Sequence, residues 1–277
     1  MATPTPLFDR AALVRMRERA RRTGAPALFL QDEAAVEIAE RLELVNKSFT
    51  SPAIVGGWPE AWQHVVTDAL IVDDTETLPL QPGAHDLIIH ALSLHWSNDP
   101  VGQLIQCRRA LKPDGLFLAV LFGGRTLQEL RAVLAEAEAK VTGGLSPRVA
   151  PMAEIRDLGG LLQRAGFALP VTDAQTTTAS YRTPLHLMRD LRAMGEGNAL
   201  AGRLRHPTRR QVLHDASALY QSAYRDASGR VPATFEMIFL SGWAPDASQP
   251  QPLRPGSATS RLADALGASE MKLREQD

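Results

Sequence analysis

His95 and Trp96 stand side by side in Ser93-Leu94-His95-Trp96-Ser97-Asn98-Asp99, just where an apolar stretch that begins at Asp86 runs out. An imidazole there could pass protons near neutral pH. The indole could stack on a ligand or guide a cationic group. The competing reading is a packed loop in which Trp96 closes the core. Gly56-Gly57 follow the run Ala53-Ile54-Val55. Glycines at that point let a nucleotide or sulfonium ligand approach the backbone, although a tight turn is the stronger reading of the dipeptide alone. Asp73-Asp74 close a second short run, Ala69–Val72. A carboxylate there could accept hydrogen bonds from an adenine amino group or ribose hydroxyls, or sit in a solvated turn. Gly123-Gly124 end a third run. These groups share one site if the runs are parallel strands, because ligands of open α/β sheets bind beyond the carboxyl ends of the strands.

The elements that must position them follow from apolar spacing. Ala35, Ile38, Leu42 and Val45 fall on one helical face, which predicts a helix over about 32–45. Asp86–Leu94 and Leu116–Phe122 are strand-sized apolar runs. Between them Asp99 suits an N-cap and Pro100 the first helical position, and Leu111-Lys112-Pro113-Asp114-Gly115 reads as a helix end and turn. Thr126-x-x-Glu129 has the form of a capping box. A helix marked by Ile155, Leu158, Leu161 and Leu162 stops at Gly166. Strands alternating with helices predict an α/β fold with a mostly parallel sheet and helices on both faces. Val171–Tyr181 and Val231–Trp243 are two further β-rich stretches, and the helical pattern between them reads as an insert over about 183–228. The chain is thus divided into a basic helical arm over 1–30, an α/β domain over 31–245 and an extended or disordered tail over 246–277.

Composition narrows the function classes. Hydrophobic residues make up 44% of 277 residues and the formal net charge is -1. A substantial core is available, and a basic nucleic-acid binder is disfavoured. The single cysteine, Cys107, excludes an internal disulfide and a site of several thiolates, and no spacing of ligands points to a metal. It reads as an inert core residue. No apolar run reaches the roughly 20 residues that span a bilayer. The N-terminal arginines Arg10, Arg15, Arg17, Arg19, Arg21 and Arg22 could grip an acidic partner or an anionic lipid surface, but a solvated helix face is the expected reading. Asp9 and Glu18 argue against a transit peptide. A cytoplasmic bacterial location is expected, with at most peripheral contact with a membrane.

Several segments together resemble one family, the mitochondrial complex I assembly factor 5 (arginine hydroxylase) family with its alphaproteobacterial relatives. They are Phe8-Asp9-Arg10, ALSLHWSND (Ala91–Asp99), LKPDG, FGGRTLQELR (Phe122–Arg131), GGLSPRVAP (Gly143–Pro151), DLGGLLQRAGF (Asp157–Phe167), LMRDLRAMGEGN (Leu187–Asn198), VPATFEMIFLSGW (Val231–Trp243) and RPGSA (Arg254–Ala258). The resemblance implies a class I methyltransferase-like, Rossmann-like fold, related more distantly to malonyl-carrier-protein methyltransferases. It implies S-adenosyl-L-methionine as cofactor, held by Gly56, Gly57, Asp73, Asp74, Leu78, Ser93 and Leu94, with His95 and Trp96 at the reacting centre. Asp74 is the residue carried over for the adenine amino group.

One departure cuts against that cofactor. The superfamily's first strand leads into a loop of the form DLGCGxG, whereas this chain has Ala53-Ile54-Val55-Gly56-Gly57-Trp58-Pro59-Glu60. The stretch from Gly57 to Asp73 is also too short for the usual helix and the strand whose terminal acid binds the ribose. Trp58 and Trp62 are expected to fill part of the cleft. Three functions therefore compete. One is an assembly factor for respiratory NADH dehydrogenase acting on an arginine of a peripheral-arm subunit. The second is methyl transfer to a small molecule or protein. The third is a docking module that has lost its cofactor.

Overall fold

In the computed structural model, residues 6–250 are described; the remainder of the tail expected over 246–277 lies outside them. Helices α1 (Arg10–Arg22) and α2 (Phe29–Glu43) precede strand β1 (Pro52–Val55). A four-residue helix α3 (Pro59–Trp62) leads to β2 (Leu70–Val72), then β3 (His85–His90), α4 (Pro100–Ala110) and β4 (Leu111–Phe122). The chain continues through α5 (Gln128–Thr142), α6 (Ile155–Ala165) and β5 (Ala168–Tyr181). Helices α7 (Pro184–Ala193) and α8 (Arg210–Tyr224) lie between β5 and the last strand, β6 (Val231–Trp243), as the helical pattern predicts.

The sheet order is β2-β1-β3-β4-β6-β5. The first four strands are parallel, and β6 runs antiparallel to both β4 and β5. The fold is the expected Rossmann-like methyltransferase fold, with a first crossover trimmed to residues 56–69. Side chains alternate between the faces. Ile54, Leu87, Ile89, Leu118 and Val120 face the core built with α2, α5 and α8. Val55, Ile88, Phe117, Ala119 and Leu121 face α4 and α6. From β1 the chain steps to β2 on one side and then to β3 on the other, so the switch in strand order lies at the carboxyl end of β1.

Three predicted local features change in the fold. The strand expected over Asp86–Leu94 stops at His90, because Leu92 takes φ +38° and a short 3-10 turn follows at Leu94–Trp96. The capping box at Thr126 and Glu129 does not form. Helix α5 begins after Leu127, at φ +56°, and both polar side chains turn to β6 instead. Thr126 Oγ1 accepts from Glu236 N at 3.0 Å, and the Glu129 carboxylate takes the Thr234 hydroxyl. The cross-sheet partners win because both side chains are buried there and a buried polar group must be satisfied. LKPDG, expected as a turn before a strand at Leu116, is instead the start of β4, and the ladder shifts register between the pairs His85–Leu111 and Leu87–Leu116, with Asp114 at φ +57°.

Candidate functional site

The expected cleft lies beyond β1, β2 and β3, and the chain's own side chains fill it. Gly56 N donates to Val72 O at 3.0 Å, and Ala91 N donates to Val55 O at 2.7 Å. These bonds draw the three strand ends together. A Cβ on Gly56 would stand 2.9 Å from the Ala91 Cβ, so this glycine serves close backbone packing. A Cβ on Gly57 would run into the Arg17 guanidinium. Gly57 therefore does open space beside the strand, and α1 occupies that space.

Helix α1 is held there by charge. Arg10, Leu13, Arg17 and Ala20 share its inward face at spacings of three and four. Arg17 and Asp74 are each 4% exposed, and Arg17 Nη1 lies 2.6 Å from Asp74 Oδ1. Arg10 Nη2 lies 3.0 Å from Asp74 Oδ2 and also donates to the Asp74 carbonyl. Burial pushes the Asp74 carboxyl up, but the Arg17 and Arg10 guanidiniums outweigh it and hold it below the ordinary range. Arg21 donates to Gly57 O, with its guanidinium 4.7 Å from the centre of the Trp58 ring. The expectation of a solvated arginine face thus holds for Arg15, Arg19 and Arg22, which are exposed, and fails for Arg17. The reason is a buried acid 57 positions away in the chain.

His95 and Trp96 lie on the adjoining wall. Trp96 Nε1 donates to Glu196 Oε2 at 2.7 Å, and His95 Nε2 is 3.4 Å from the same oxygen. Phe8 packs edge-on against Trp96, with ring centres 5.1 Å apart. Arg10 Nη1 reaches Trp96 O at 3.2 Å, which ties this wall to Asp74. Nothing local in the sequence singles out Glu196 as a site residue: it falls within Met194-Gly195-Glu196-Gly197-Asn198, where no spacing marks it. Beneath this wall His90 Nε2 meets Gln103 Oε1 at 3.0 Å, and Gln103 Nε2 donates to Thr75 O at 2.9 Å. Burial pushes His90 down to about 4, so it stays neutral and braces the loops.

The structure thus brings Gly57, Asp74 and Trp96 along the inward face of α1, from Arg21 to Arg10, with His95 beside Trp96. Asp73 is exposed, with its carbonyl accepting from Thr75 N at 2.9 Å. Leu78 and Leu94 are core residues on the α4 face, and Ser93 Oγ lies 3.3 Å from His90 Nδ1. Of the two tryptophans expected in the cleft, Trp58 is there; Trp62 is buried under α2, donating to Gln31 Oε1 at 2.7 Å. Asp99 caps α4 through Gly102 N at 2.8 Å. Cys107 is fully buried, with its thiol pushed up to about 12 by burial, as an inert core residue should be.

These residues do not fit S-adenosylmethionine while α1 is in place. Both oxygens of Asp74 are engaged by arginines, and the room beside Gly57 holds a guanidinium. Among the described residues several buried polar atoms around the cleft have no hydrogen-bond partner: Arg17 Nε and Nη2, Trp58 Nε1, His95 Nδ1, Glu196 Oε1, and Asp74 Oδ2, which has only its 3.0 Å ion pair with Arg10. Each such atom costs about 1–3 kcal/mol. Among the described residues no group of His, Cys, Asp and Glu is placed to hold a metal ion, and no helix is long and apolar enough to cross a membrane.

Comparison with known proteins agrees with this architecture. Residues 17–119 match a family described as a methyltransferase domain. The chain is 40% identical over 229 residues to the arginine-hydroxylase NDUFAF5, mitochondrial, of Danio rerio, covering 82% of this chain and 71% of that protein. It is 37% identical over 243 residues to the same-named protein of Mus musculus, covering 86% and 70%. A malonyl-(acyl-carrier protein) O-methyltransferase of Laribacter hongkongensis is 37% identical over 188 residues, covering 68% and 61%. On these identities, spread over most of both chains, the protein belongs to the family of the arginine-hydroxylase NDUFAF5 and shares its relationship to methyltransferases.

Proposed function

We propose that this chain acts in the assembly of respiratory NADH dehydrogenase, by hydroxylating an arginine of a peripheral-arm subunit, a step that replaces a C–H bond by C–OH and so draws on dioxygen and two electrons from an external redox partner, with the second oxygen leaving as water. Family membership supports the assembly role. The observation that carries the choice of side chain is the guanidinium of Arg17, seated on Asp74 beside Gly57. A cleft whose acid and aromatic groups already hold a guanidinium suits a partner's arginine in the same place. Planar, bidentate donors match a carboxylate well. In this reading Asp74 receives the substrate's guanidinium, and Trp58 offers the ring face that Arg21 now covers. Trp96 and Glu196 form the wall beside it. With α1 in place Asp74 and the space beside Gly57 are occupied, so in this reading S-adenosylmethionine enters only when α1 moves aside.

The test is deletion of the gene, followed by measurement of assembled NADH dehydrogenase and mass spectrometry of its peripheral-arm subunits. Loss of assembly and loss of one added oxygen on a single arginine are expected. Normal assembly would overturn the reading. The filled cleft also favours a second reading, a docking module without catalysis. Titration of the intact chain and of Arg17→Ala with S-adenosylmethionine separates the two. Saturable binding that is stronger in Arg17→Ala is expected for an enzyme gated by α1. No binding to either form leaves the docking module.

A further inference from the structure

A second arginine-lined cavity lies on the other flank of α1. It has a volume of about 310 Å³, in the size range of small-molecule sites. Four guanidiniums line it, those of Arg19, Arg148, Arg192 and Arg203. Two of them are neutralised. Arg148 is gripped by Glu138, with Nη2 to Oε1 at 2.5 Å and Nε to Oε2 at 3.0 Å, and it donates to Thr208 Oγ1 at 2.9 Å. Arg203 lies 2.9 Å from Asp9 Oδ2. The side chains of Arg19 and Arg192 have no hydrogen bond or ion pair among the described residues, and both residues are exposed. The cavity thus holds two fixed guanidiniums and two uncompensated positive charges, and His206 is a further lining residue.

A second lobe, of about 220 Å³, shares Arg148, Arg192, Gly197 and Asn198 with the first. Its walls include Leu130, Leu134, Met188 and Leu213. Glu196 lines this lobe and no carboxylate lines the first; an adjoining pocket of about 310 Å³, which shares Ser146, Arg148, Leu204, His206 and Thr208 with the first, is lined by Glu138, whose carboxylate Arg148 and Ser146 already engage. The two lobes therefore have different chemistry. One attracts a doubly charged anion, and the other takes an apolar group beside it.

We propose that this bipartite cavity is a binding site for an organic phosphate, its phosphate held by Arg19 and Arg192 and its apolar body lying against Leu130, Leu134 and Met188. Guanidinium forks pair with phosphate oxygens through two parallel bonds. A phosphate brings the two negative charges that two unpaired guanidiniums require. The site does not depend on the arginine-hydroxylase reading, since its anion contacts use neither Asp74 nor the strand ends, although Glu196 belongs to the lining of both.

The test is calorimetric titration of the intact protein with phenyl phosphate and with inorganic phosphate, at fixed ionic strength. Saturable binding is expected, tighter for phenyl phosphate because only it reaches the apolar lobe. Arg19→Ser and Arg192→Ser should each weaken it at least about tenfold, the loss of one charge-assisted contact of about 1.5 kcal/mol or more. Arg15→Ser, an exposed change on the same helix, should leave it unaltered. Unchanged melting temperatures in the three variants show that folding is not the cause. Vesicles of phosphatidylcholine with and without phosphatidic acid form a second arm. Binding to phenyl phosphate alone assigns a soluble ligand, binding to both assigns a lipid headgroup, and either supports the site. No saturable binding, or equal affinity in wild type and both cavity variants, overturns it. So does a hexaglutamate peptide that binds where phenyl phosphate does not, which would make the cavity a peptide site.

Discussion

Helix α1 places two arginines two positions apart in two opposite settings. Arg17 points inward, is 4% exposed and sits on Asp74. Arg19 points into an open cavity and has no partner among the described residues. The difference lies in the acid. Below Arg17 a carboxylate waits at the end of β2, and its charge is held by two guanidiniums in a water-poor place. No carboxylate lines the cavity at Arg19, and the acids that pair with two of its other arginines, Asp9 and Glu138, are taken by Arg203 and Arg148. The same residue type thus closes one site and leaves the other seeking an anion. Arginine content alone says nothing about which is which.

Asp74→Ala is the largest expected break in this comparison. It strands the Arg17 guanidinium without its counter-charge and leaves the partly buried Arg10 without its carboxylate. Removing one side of a buried ion pair costs about 3–5 kcal/mol, or a fall of roughly 10 °C in melting temperature for a chain of this size. Arg17→Met should cost less, because Asp74 keeps Arg10 at 3.0 Å. Thermal unfolding of the two variants measures the order. If Arg17→Met proves the worse of the two, Arg10 is not a true second partner.

How much of this was legible beforehand depends on the range of the interactions. The strands β3 and β4 announce themselves as apolar runs, and β5 and β6 as stretches rich in β-branched and aromatic residues. The helix cap at Asp99 needs only its neighbours, and it formed as expected. Thr126 and Glu129 have an equally local pattern, yet β6 captures both from more than a hundred residues away. The site was harder for the same reason. Gly57, Asp74, His95 and Trp96 could be nominated from the strand ends where they fall. Their actual partners, Arg10, Arg17 and Glu196, come from an N-terminal helix and from the turn after α7. The inward face of α1 carried one usable signal: Arg10 and Arg17 recur at seven, in phase with Leu13 and Ala20. A period shared by apolar and cationic residues marks a buried face that expects an acid, but it cannot say which acid.

The open cavity can be probed through the acid that shapes it. Burial pushes the Glu138 carboxyl up, but its bonds from Arg148 and Ser146 outweigh burial and hold it at about 2, against an ordinary 4.5. A depressed folded value contributes stability that is complete above the unfolded value and is lost as pH falls toward the folded one. Glu138→Gln should therefore melt below wild type at pH 6. The gap should close as pH falls from about 4.5 to about 2. Other carboxylates, Asp9 among them, titrate alike in both proteins, so the difference between the two curves isolates Glu138. A gap that stays constant across that range would mean that Arg148 is held by packing and not by charge.

Arg19→Met gives the smallest effect and the sharpest contrast with Asp74→Ala. The side chain is exposed and makes no bond among the described residues, so its removal should change stability by no more than about 0.5 kcal/mol. The sign is informative. Arg19 shares a cavity with Arg148, Arg192 and Arg203, and like charges facing one another destabilise the compact state. Arg19→Met should raise the melting temperature slightly at low ionic strength. At about 0.5 M salt, where the screening length falls well below 10 Å, the gain should vanish. A cavity whose occupant is an anion must carry this repulsion when empty, and a binding site is the usual reason to retain it. If Arg19→Met instead destabilises by several kcal/mol at every salt concentration, the arginine on this flank is as structural as Arg17, and the division of α1 into a closing face and a receiving face fails.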